Sequence, residues 1–433
     1  NYVYTFSPVC RFETIRLVLA LAAELKMFLH QMDVCTAYLN SELKDVVYMR
    51  QPKGYCSGDN QRKVLRLNKA IYGLKQSGRE WNSKLDRALR DIGFTQCESE
   101  RCLYKQDIKG NLCLILVYVD DLLLACQSKE VLVDVKAKIS ERFECVDKGS
   151  LHMFLGMQIE RDGELGEISI GQPQYIKDLL RQHRISECRP AYTPLDVGFQ
   201  VACDSDVCKK VDQTSYQSTI GALMWLALST RPDIFHSVAK LAQRNKDPHS
   251  EHQAGIMHIL RYLAATIDMK MHYRACNKPL KGYADADWGG DRIDRRSYTG
   301  YVFLLAGGAI SWKSEKQDCV ALSSTEAEYL SMSSAVKEAL HLRRIIIEIG
   351  CGDVRTSTVL YGDNLSAQNL AKNPVHHART KHIDIRYHFV RDIVERGEIR
   401  LEYVSTNQMI ADIFTKNLPK KKHSELLGLL NMK

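Results

Sequence analysis

The chain has 433 residues, which at roughly 150 residues per domain suggests about three domains. Apolar residues make up 45% and charged residues 26%, a globular balance that excludes a disordered, collagen-like or coiled-coil chain. Lys and Arg outnumber Asp and Glu by 60 to 52, and the resulting charge of +8 is compatible with nucleic acid without requiring it. The longest apolar stretch, 112–126, is interrupted by Asp120 and Asp121, so no membrane-spanning helix and no membrane partner are expected. No secretory h-region is seen at the N-terminus, which points to an intracellular protein; the sequence opens at Asn1 rather than Met. The 14 cysteines show no C-x-x-C spacing and are expected to be free thiols.

In chain order, residues 11–29 read as a helix and 30–40 as a strand. A polar loop at 55–63 precedes the segment 64–73, and 78–92 reads as helix. Residues 112–119 and 122–126 are continuous apolar runs joined by an Asp pair, the pattern of a buried hairpin. A helix at 129–143 and a second hairpin at 153–170, turning at Arg161-Asp162-Gly163, follow. Residues 189–212 are aperiodic and read as a linker; 216–228 and 234–263 are helical. The last third alternates strands (279–283, 301–305, 358–361) with a long helix and terminal helices.

Two carboxylate groups stand out. In Tyr118-Val119-Asp120-Asp121 the aspartates sit at the tip of the apolar hairpin. At an effective dielectric near 20 and about 5 Å, two such charges repel by about 3 kcal/mol, and burial raises the cost. A hard divalent cation with oxygen ligands relieves both terms; a solvated turn is the alternative. Asp33 lies in another strand-like segment. If that strand neighbours the hairpin, Asp33 and Asp120 could hold two ions about 4 Å apart, the geometry of in-line phosphoryl transfer. In the last third, Asp285 and Asp287 alternate on one strand and share a face. Ser323-Ser324-Thr325-Glu326 opens the long helix and also fits a capping box. The helix's apolar stripe, carried backwards by fours, reaches Glu328, so helical phase does not choose between the two glutamates. Asp363 ends an apolar strand, or caps the helix after it, and Asp412 lies near the C-terminus.

Several strings carry a resemblance: Gln31-Met32-Asp33-Val34 through Asn40, Tyr72-Gly73-Leu74-Lys75-Gln76-Ser77, and Tyr118–Asp121. Phe154-Leu155-Gly156-Met157, Thr230-Arg231-Pro232-Asp233-Ile234, Arg261-Tyr262-Leu263, Tyr283-Ala284-Asp285-Ala286-Asp287-Trp288 and Lys381-His382-Ile383-Asp384 follow in order. Together they resemble the reverse transcriptase and ribonuclease H portion of copia-type LTR retrotransposon Pol polyproteins. The resemblance implies an α/β (α+β) chain: partial fingers and palm over 1–188, helical thumb and connection over 189–278, a mixed-sheet ribonuclease H-like domain over 279–418, and a basic tail over 419–433. It implies Asp33, Asp120 and Asp121 as the polymerase carboxylates, Tyr38 as the ring that selects deoxynucleotides, Gln76 at the incoming nucleotide, and Leu155-Gly156 at the primer end. It implies Asp285, Glu326, Asp363 and Asp412 as the ribonuclease carboxylates, favouring Asp285 over Asp287 and Glu326 over Glu328, with His382 as an auxiliary histidine. Each site would take two Mg²⁺ ions, Mn²⁺ being an alternative.

The implied partners are an RNA template, a DNA primer, deoxynucleoside triphosphates, an RNA–DNA hybrid and other retrotransposon polyprotein products, in the cytoplasm (in a virus-like particle) or the nucleus. Arg292, Arg295, Arg296, Lys313, Lys316, Lys372, Arg379 and Lys381 offer a basic path for phosphates. His376, His377, His382 and His388 lack the cysteine spacing of a zinc site. The family's polymerase begins before Asn1, so the expected chain is a truncated one without the basic upstream fingers. The alternative is a polymerase-inactive remnant that binds nucleic acid.

Overall fold

The computed structural model describes residues 5–55, 63–185, 189–201, 208–372 and 381–433, the last stretch without the side chains of 381–385. The chain divides into two units: Asn1–Arg11 with Met27–Leu151, and Phe12–Lys26 with His152–Lys433.

The first unit is built on a six-stranded antiparallel sheet. Strand Phe28–Val34 lies between Asp121–Cys126 and Cys145–Ser150, and Asn111–Tyr118 pairs with the other side of Asp121–Cys126. The apolar runs flanking the Asp pair do form a hairpin, buried along nearly its whole length. Helices Ser77–Ile92 and Lys129–Ser140 cover one face, through Trp81, Leu85, Leu89, Leu132, Val135 and Ile139. The sheet's alternation places Met32, Ile115, Val117, Leu122 and Leu124 beneath them. A separate two-stranded ribbon, Glu42–Arg50 with Val64–Lys69, leaves Val46, Tyr48 and Val64 exposed.

The second unit holds a four-stranded sheet of Met153–Phe154, Met157–Arg161, Ile168–Gly171 and Met271–Tyr273, and a five-stranded mixed sheet. In the latter, Lys281–Asp287 runs antiparallel to Tyr298–Leu305 and parallel to Thr358–Gly362, which runs parallel to Ile399–Tyr403. The 25-residue helix Ser324–Glu348 packs on this sheet.

Three expected elements differ. The 11–29 helix stops at Glu24, because Lys26 takes a positive φ of 52° and Phe28 begins a strand. The 30–40 strand ends at Val34 and gives way to the 3-10 turn Ala37–Asn40. The 234–263 helix is two, Phe235–Ala242 and Ser250–Ala265, separated by a stretch containing Pro248 and restarted by His249 and His252 in reciprocal capping hydrogen bonds. Residues 420–433 are more than a basic tail: helix Lys420–Leu429 buries His423, Leu426 and Leu427, and Met432 bridges to Met271. No described helix is long and apolar enough to cross a membrane, and the 11 cysteines among the described residues are free.

Candidate active sites

Asp33 lies at the end of its strand directly opposite Asp121, the residue that opens the hairpin's second strand. The Val34 amide donates to the Asp120 carbonyl at 2.9 Å, stitching the turn to the strand. That turn forces Val119 to φ +58°, an uncommon conformation for a β-branched residue. The buried Trp81 indole holds it by donating to the Val119 carbonyl at 2.6 Å. Burial, then the neighbouring Asp121 and Asp33, push the Asp120 carboxyl up from its usual range.

Lys148, on the strand flanking Asp33, answers the other two carboxylates. Its ammonium donates to Asp33 Oδ2 at 2.6 Å and to Asp121 Oδ1 at 3.3 Å, while Gln31 donates to Asp121 Oδ1 at 2.8 Å. The Asp33 hydrogen bond and the two negative charges raise the Lys148 pKa against a smaller opposing effect of burial. Tyr38 packs against Tyr72 with ring centroids 4.5 Å apart, and burial together with Asp120 raises the Tyr72 hydroxyl. Gln76 is buried just before helix Ser77–Ile92, with its Oε1 unpartnered. Neither the Lys148 contacts nor the Tyr38–Tyr72 packing was readable in the sequence: the first depends on which strands pair and the second on how two distant turns meet.

In the second unit, ligand oxygens of Asp285, Glu328 and Asp363 all lie within 4.8 Å of one another. Asp285 is buried on Lys281–Asp287 and Asp363 follows the parallel strand Thr358–Gly362, so the parallel pairing of these strands juxtaposes them. Glu328 reaches them from the first turns of helix Ser324–Glu348. Glu326, the glutamate expected here from the resemblance, does something else. Its carboxylate accepts the Leu322 amide at 2.8 Å, and its own amide donates to Ser323 Oγ at 3.2 Å. It caps the helix; the stripe carried backwards had reached Glu328 without deciding between the two, and the packing of the helix on its sheet decides. Burial first, then Asp285 and Asp363, push the Glu328 carboxyl well above the ordinary carboxylate range.

At the next helix the expected cap is displaced by one residue. Asn364 Oδ1, not Asp363, accepts the Ala367 amide at 3.0 Å, and Asp363 Oδ2 instead accepts the Thr406 hydroxyl at 2.8 Å. Asp412, on the 3-10 turn Ile410–Phe414, joins the group's edge beside Asp285. The close approach requires Gly300: a Cβ there would lie 2.6 Å from Thr415 Cγ2 and 2.9 Å from Phe414 Cβ. Burial and then Asp285 push Asp412 up to about 6. Lys416 lies 2.8 Å from Asp412 Oδ1 and 3.6 Å from Asp285 Oδ2. Burial lowers its pKa, but the two carboxylates together raise it further. Asp287 stays outside the group, accepts the Tyr298 amide, and is pushed up to about 6, mainly by burial.

The remaining expected residues have these positions. Leu155 (φ 49°) and Gly156 (φ 74°) form the tight turn between Met153–Phe154 and Met157–Arg161 in the second unit. Residue 382 falls within helix Lys381–Glu395 rather than a loop, its side chain lying outside the described ones, as do His376, His377 and Arg379. Lys316 is neutralised by Asp291 at 2.6 Å and Asp294 at 2.9 Å, whereas Arg292 and Arg295 are exposed.

Residues 1–197 match the family model described as reverse transcriptase (RNA-dependent DNA polymerase). The chain is 37% identical over 433 residues to the retrovirus-related Pol polyprotein from transposon TNT 1-94 of Nicotiana tabacum, covering 98% of this chain and 32% of that protein. It is also 34% identical over 309 residues to a putative transposon Ty5-1 protein of Saccharomyces cerevisiae, covering 71% of this chain and all of that one. The chain belongs to the copia-type retrotransposon Pol polyproteins. A transposon RE1 Pol polyprotein of Arabidopsis thaliana is 38% identical over 97% of this retrotransposon chain and 28% of its own length. This Pol chain thus spans about a third of the two plant polyproteins. Among solved structures, the foamy viral protease-reverse transcriptase dRH in complex with double-stranded DNA matches with a TM-score of 0.50 and 14% identity, over 89% of this chain and 59% of that one, which speaks to the fold alone.

Proposed function

We propose that this Pol chain is an RNA-directed DNA polymerase joined to a ribonuclease H. The polymerase centre comprises Asp33, Asp120 and Asp121, with Tyr38 and Gln76 at the incoming deoxynucleotide and Leu155-Gly156 at the primer end. The ribonuclease centre comprises Asp285, Glu328, Asp363 and Asp412. Fingers and palm occupy 1–188, thumb and connection 189–278, and the ribonuclease domain 279–418. An RNA template, a DNA primer, deoxynucleoside triphosphates and an RNA–DNA hybrid are the substrates.

The observation that carries this reading is the convergence of Asp285, Glu328 and Asp363 within 4.8 Å. Three carboxylates at that spacing, one of them driven well above its normal pKa, form an all-oxygen donor set with more negative charge than Lys416 offsets. Such a set fits a pair of Mg²⁺ ions. When bound, Mg²⁺ supplies an activated water and neutralises charge on the reacting phosphate. The protein's own part is to hold the donors rigid. Thr406 orients Asp363, Thr415 donates to Asp285, and Ser331 donates to the Asp285 carbonyl at 2.7 Å. In the first unit, the Trp81-anchored turn does the same for Asp120, and the Tyr38–Tyr72 pair is a wall against which a sugar 2′-OH would clash.

A polymerase-inactive chain that binds nucleic acid is the second reading, favoured by Lys148, which already neutralises Asp33 and Asp121. Primer extension on an RNA template, compared between the native chain and Asp120→Asn, separates the two; no extension by the native chain selects the second. For the ribonuclease, a labelled RNA–DNA hybrid should be cut in Mg²⁺ by the native chain and by Glu326→Gln, but not by Asp285→Asn or Glu328→Gln. A native chain that leaves the hybrid whole would overturn that half.

A further inference from the structure

Two of the sequence strings, Thr230–Ile234 and Arg261–Leu263, take no part in either centre, yet they form a fully buried charged network in the second unit. Arg231, fully buried, donates through Nε and Nη2 to Asp233 at 3.0 and 2.7 Å and through Nη1 to the Thr266 carbonyl at 3.0 Å. The buried Tyr262 hydroxyl donates to Asp233 Oδ2 at 2.7 Å. Against this network the C-terminal helix inserts His423, which is 3% exposed: its ring meets Tyr262 edge-on at 5.6 Å and it hydrogen-bonds the Asp233 backbone. Its Nε2 is buried without a hydrogen-bond partner.

The residue before it points the other way. Lys422 donates to the Thr406 and Asn407 carbonyls at 2.9 and 2.6 Å and sits 3.8 Å from Asp412 Oδ2. Thr406 is the residue whose hydroxyl holds Asp363. One helical step therefore links a buried ion pair in the connection to two carboxylates of the acidic group. We infer that helix Lys420–Leu429 is the positioning element of the ribonuclease centre, keyed by His423 into the Arg231–Asp233–Tyr262 network and holding Asp412 and the Thr406–Asp363 contact through Lys422. Neither Tyr262 nor His423 touches a reacting atom; both act through Lys422. The inference rests on the ribonuclease reading of that centre.

The physical argument is one of rigidity. Groups behind metal-binding side chains fix their orientation, and removing one typically costs tenfold to a hundredfold in metal affinity. A buried, fully paired charge network is a stiff anchor because every partial opening leaves an unpaired charge in a poorly polarisable interior. A tail without such an anchor would leave Lys422 free to leave the Thr406 turn.

The test uses the full chain carrying Asp33→Asn and Asp120→Asn, so that metal binding reports the second unit. Mn²⁺ affinity is measured by calorimetry without nucleic acid, and the Mg²⁺ dependence of hybrid cleavage in parallel. Asp285→Asn identifies the site. Tyr262→Phe, which deletes only the hydroxyl, and Thr406→Val, on an exposed turn, should each weaken Mn²⁺ binding about tenfold and move half-maximal cleavage to correspondingly higher Mg²⁺. Lowered melting temperatures with unchanged Mn²⁺ affinity would make the network merely structural and overturn the inference. Should Tyr262→Phe fail to fold, Lys422→Met, which removes the ammonium contacts to the Thr406 and Asn407 carbonyls and to Asp412, takes its place with the same two outcomes. A chain that binds Mn²⁺ through Asp285 but never cuts the hybrid removes the ribonuclease reading, while the affinities still judge the positioning role. A chain with no Asp285-dependent Mn²⁺ site overturns both.

Discussion

Glu328→Gln and Glu326→Gln, two residues apart on one helix, should respond oppositely to Mg²⁺. With ligand oxygens all within 4.8 Å and an effective dielectric near 20, each pair of full charges among Asp285, Glu328 and Asp363 would repel by at least about 3.5 kcal/mol. Glu328 relieves part of this by staying protonated well above its ordinary range. Its raised pKa means that it opposes folding increasingly as pH rises through the folded value, and the opposition vanishes below the unfolded one. Glutamine removes the term. Without divalent ions at pH 7.5, Glu328→Gln should therefore melt at or above the native temperature. Adding Mg²⁺ at about 100 times its Kd stabilises the native chain by about 2.7 kcal/mol, or roughly 5–10 °C at about 2–4 °C per kcal/mol for a unit of this size. The glutamine variant should gain almost none of that rise. Glu326→Gln should retain the full Mg²⁺ response and start near the native melting temperature, because the glutamine carbonyl still accepts the Leu322 amide. Scanning calorimetry across a Mg²⁺ titration reads both. A Mg²⁺ response abolished by Glu326→Gln and kept by Glu328→Gln would refute the assignment.

Asp287 shifts from 3.8 to about 6, so its contribution to stability is full below 3.8 and lost as pH rises through about 6. Asp287→Asn, which keeps the acceptor for Tyr298, should flatten this dependence and raise stability at pH 7.5 by at most about 3 kcal/mol, measured by urea unfolding between pH 4 and 8. Asp233→Ala strands the fully buried Arg231 and should cost about 3–5 kcal/mol, visible as a fall of the second unit's melting transition; a loss under 1 kcal/mol would contradict the network. Trp81→Phe deletes the hydrogen bond to the Val119 carbonyl while keeping most of the packing. Primer extension should drop more than the about 1–2 kcal/mol stability loss explains, and extension at the native rate would show that the turn needs no anchor.

Much of this molecule was legible because local pattern and chemistry agreed. The apolar runs around Asp120-Asp121 suggested a buried hairpin, which forms, and the order of strand, helix, strand-end and C-terminal carboxylates pointed to a second acidic group. What the sequence left open was decided by contacts between distant segments. Glu326 and Glu328 are equivalent in composition and nearly so in helical phase. Only the packing of Ser324–Glu348 on its sheet turns one toward Asp285 and Asp363 and leaves the other to the Leu322 amide. Asp363 read equally as a helix cap until Asn364 took the Ala367 amide and the Thr406 turn approached Asp363. Lys148 became a partner of Asp33 only because Cys145–Ser150 pairs with Phe28–Val34. A side chain's charge and local conformation are properties of its own neighbourhood in the chain, whereas a like-charge cluster exists only where tertiary packing brings separate strands and helices to one place.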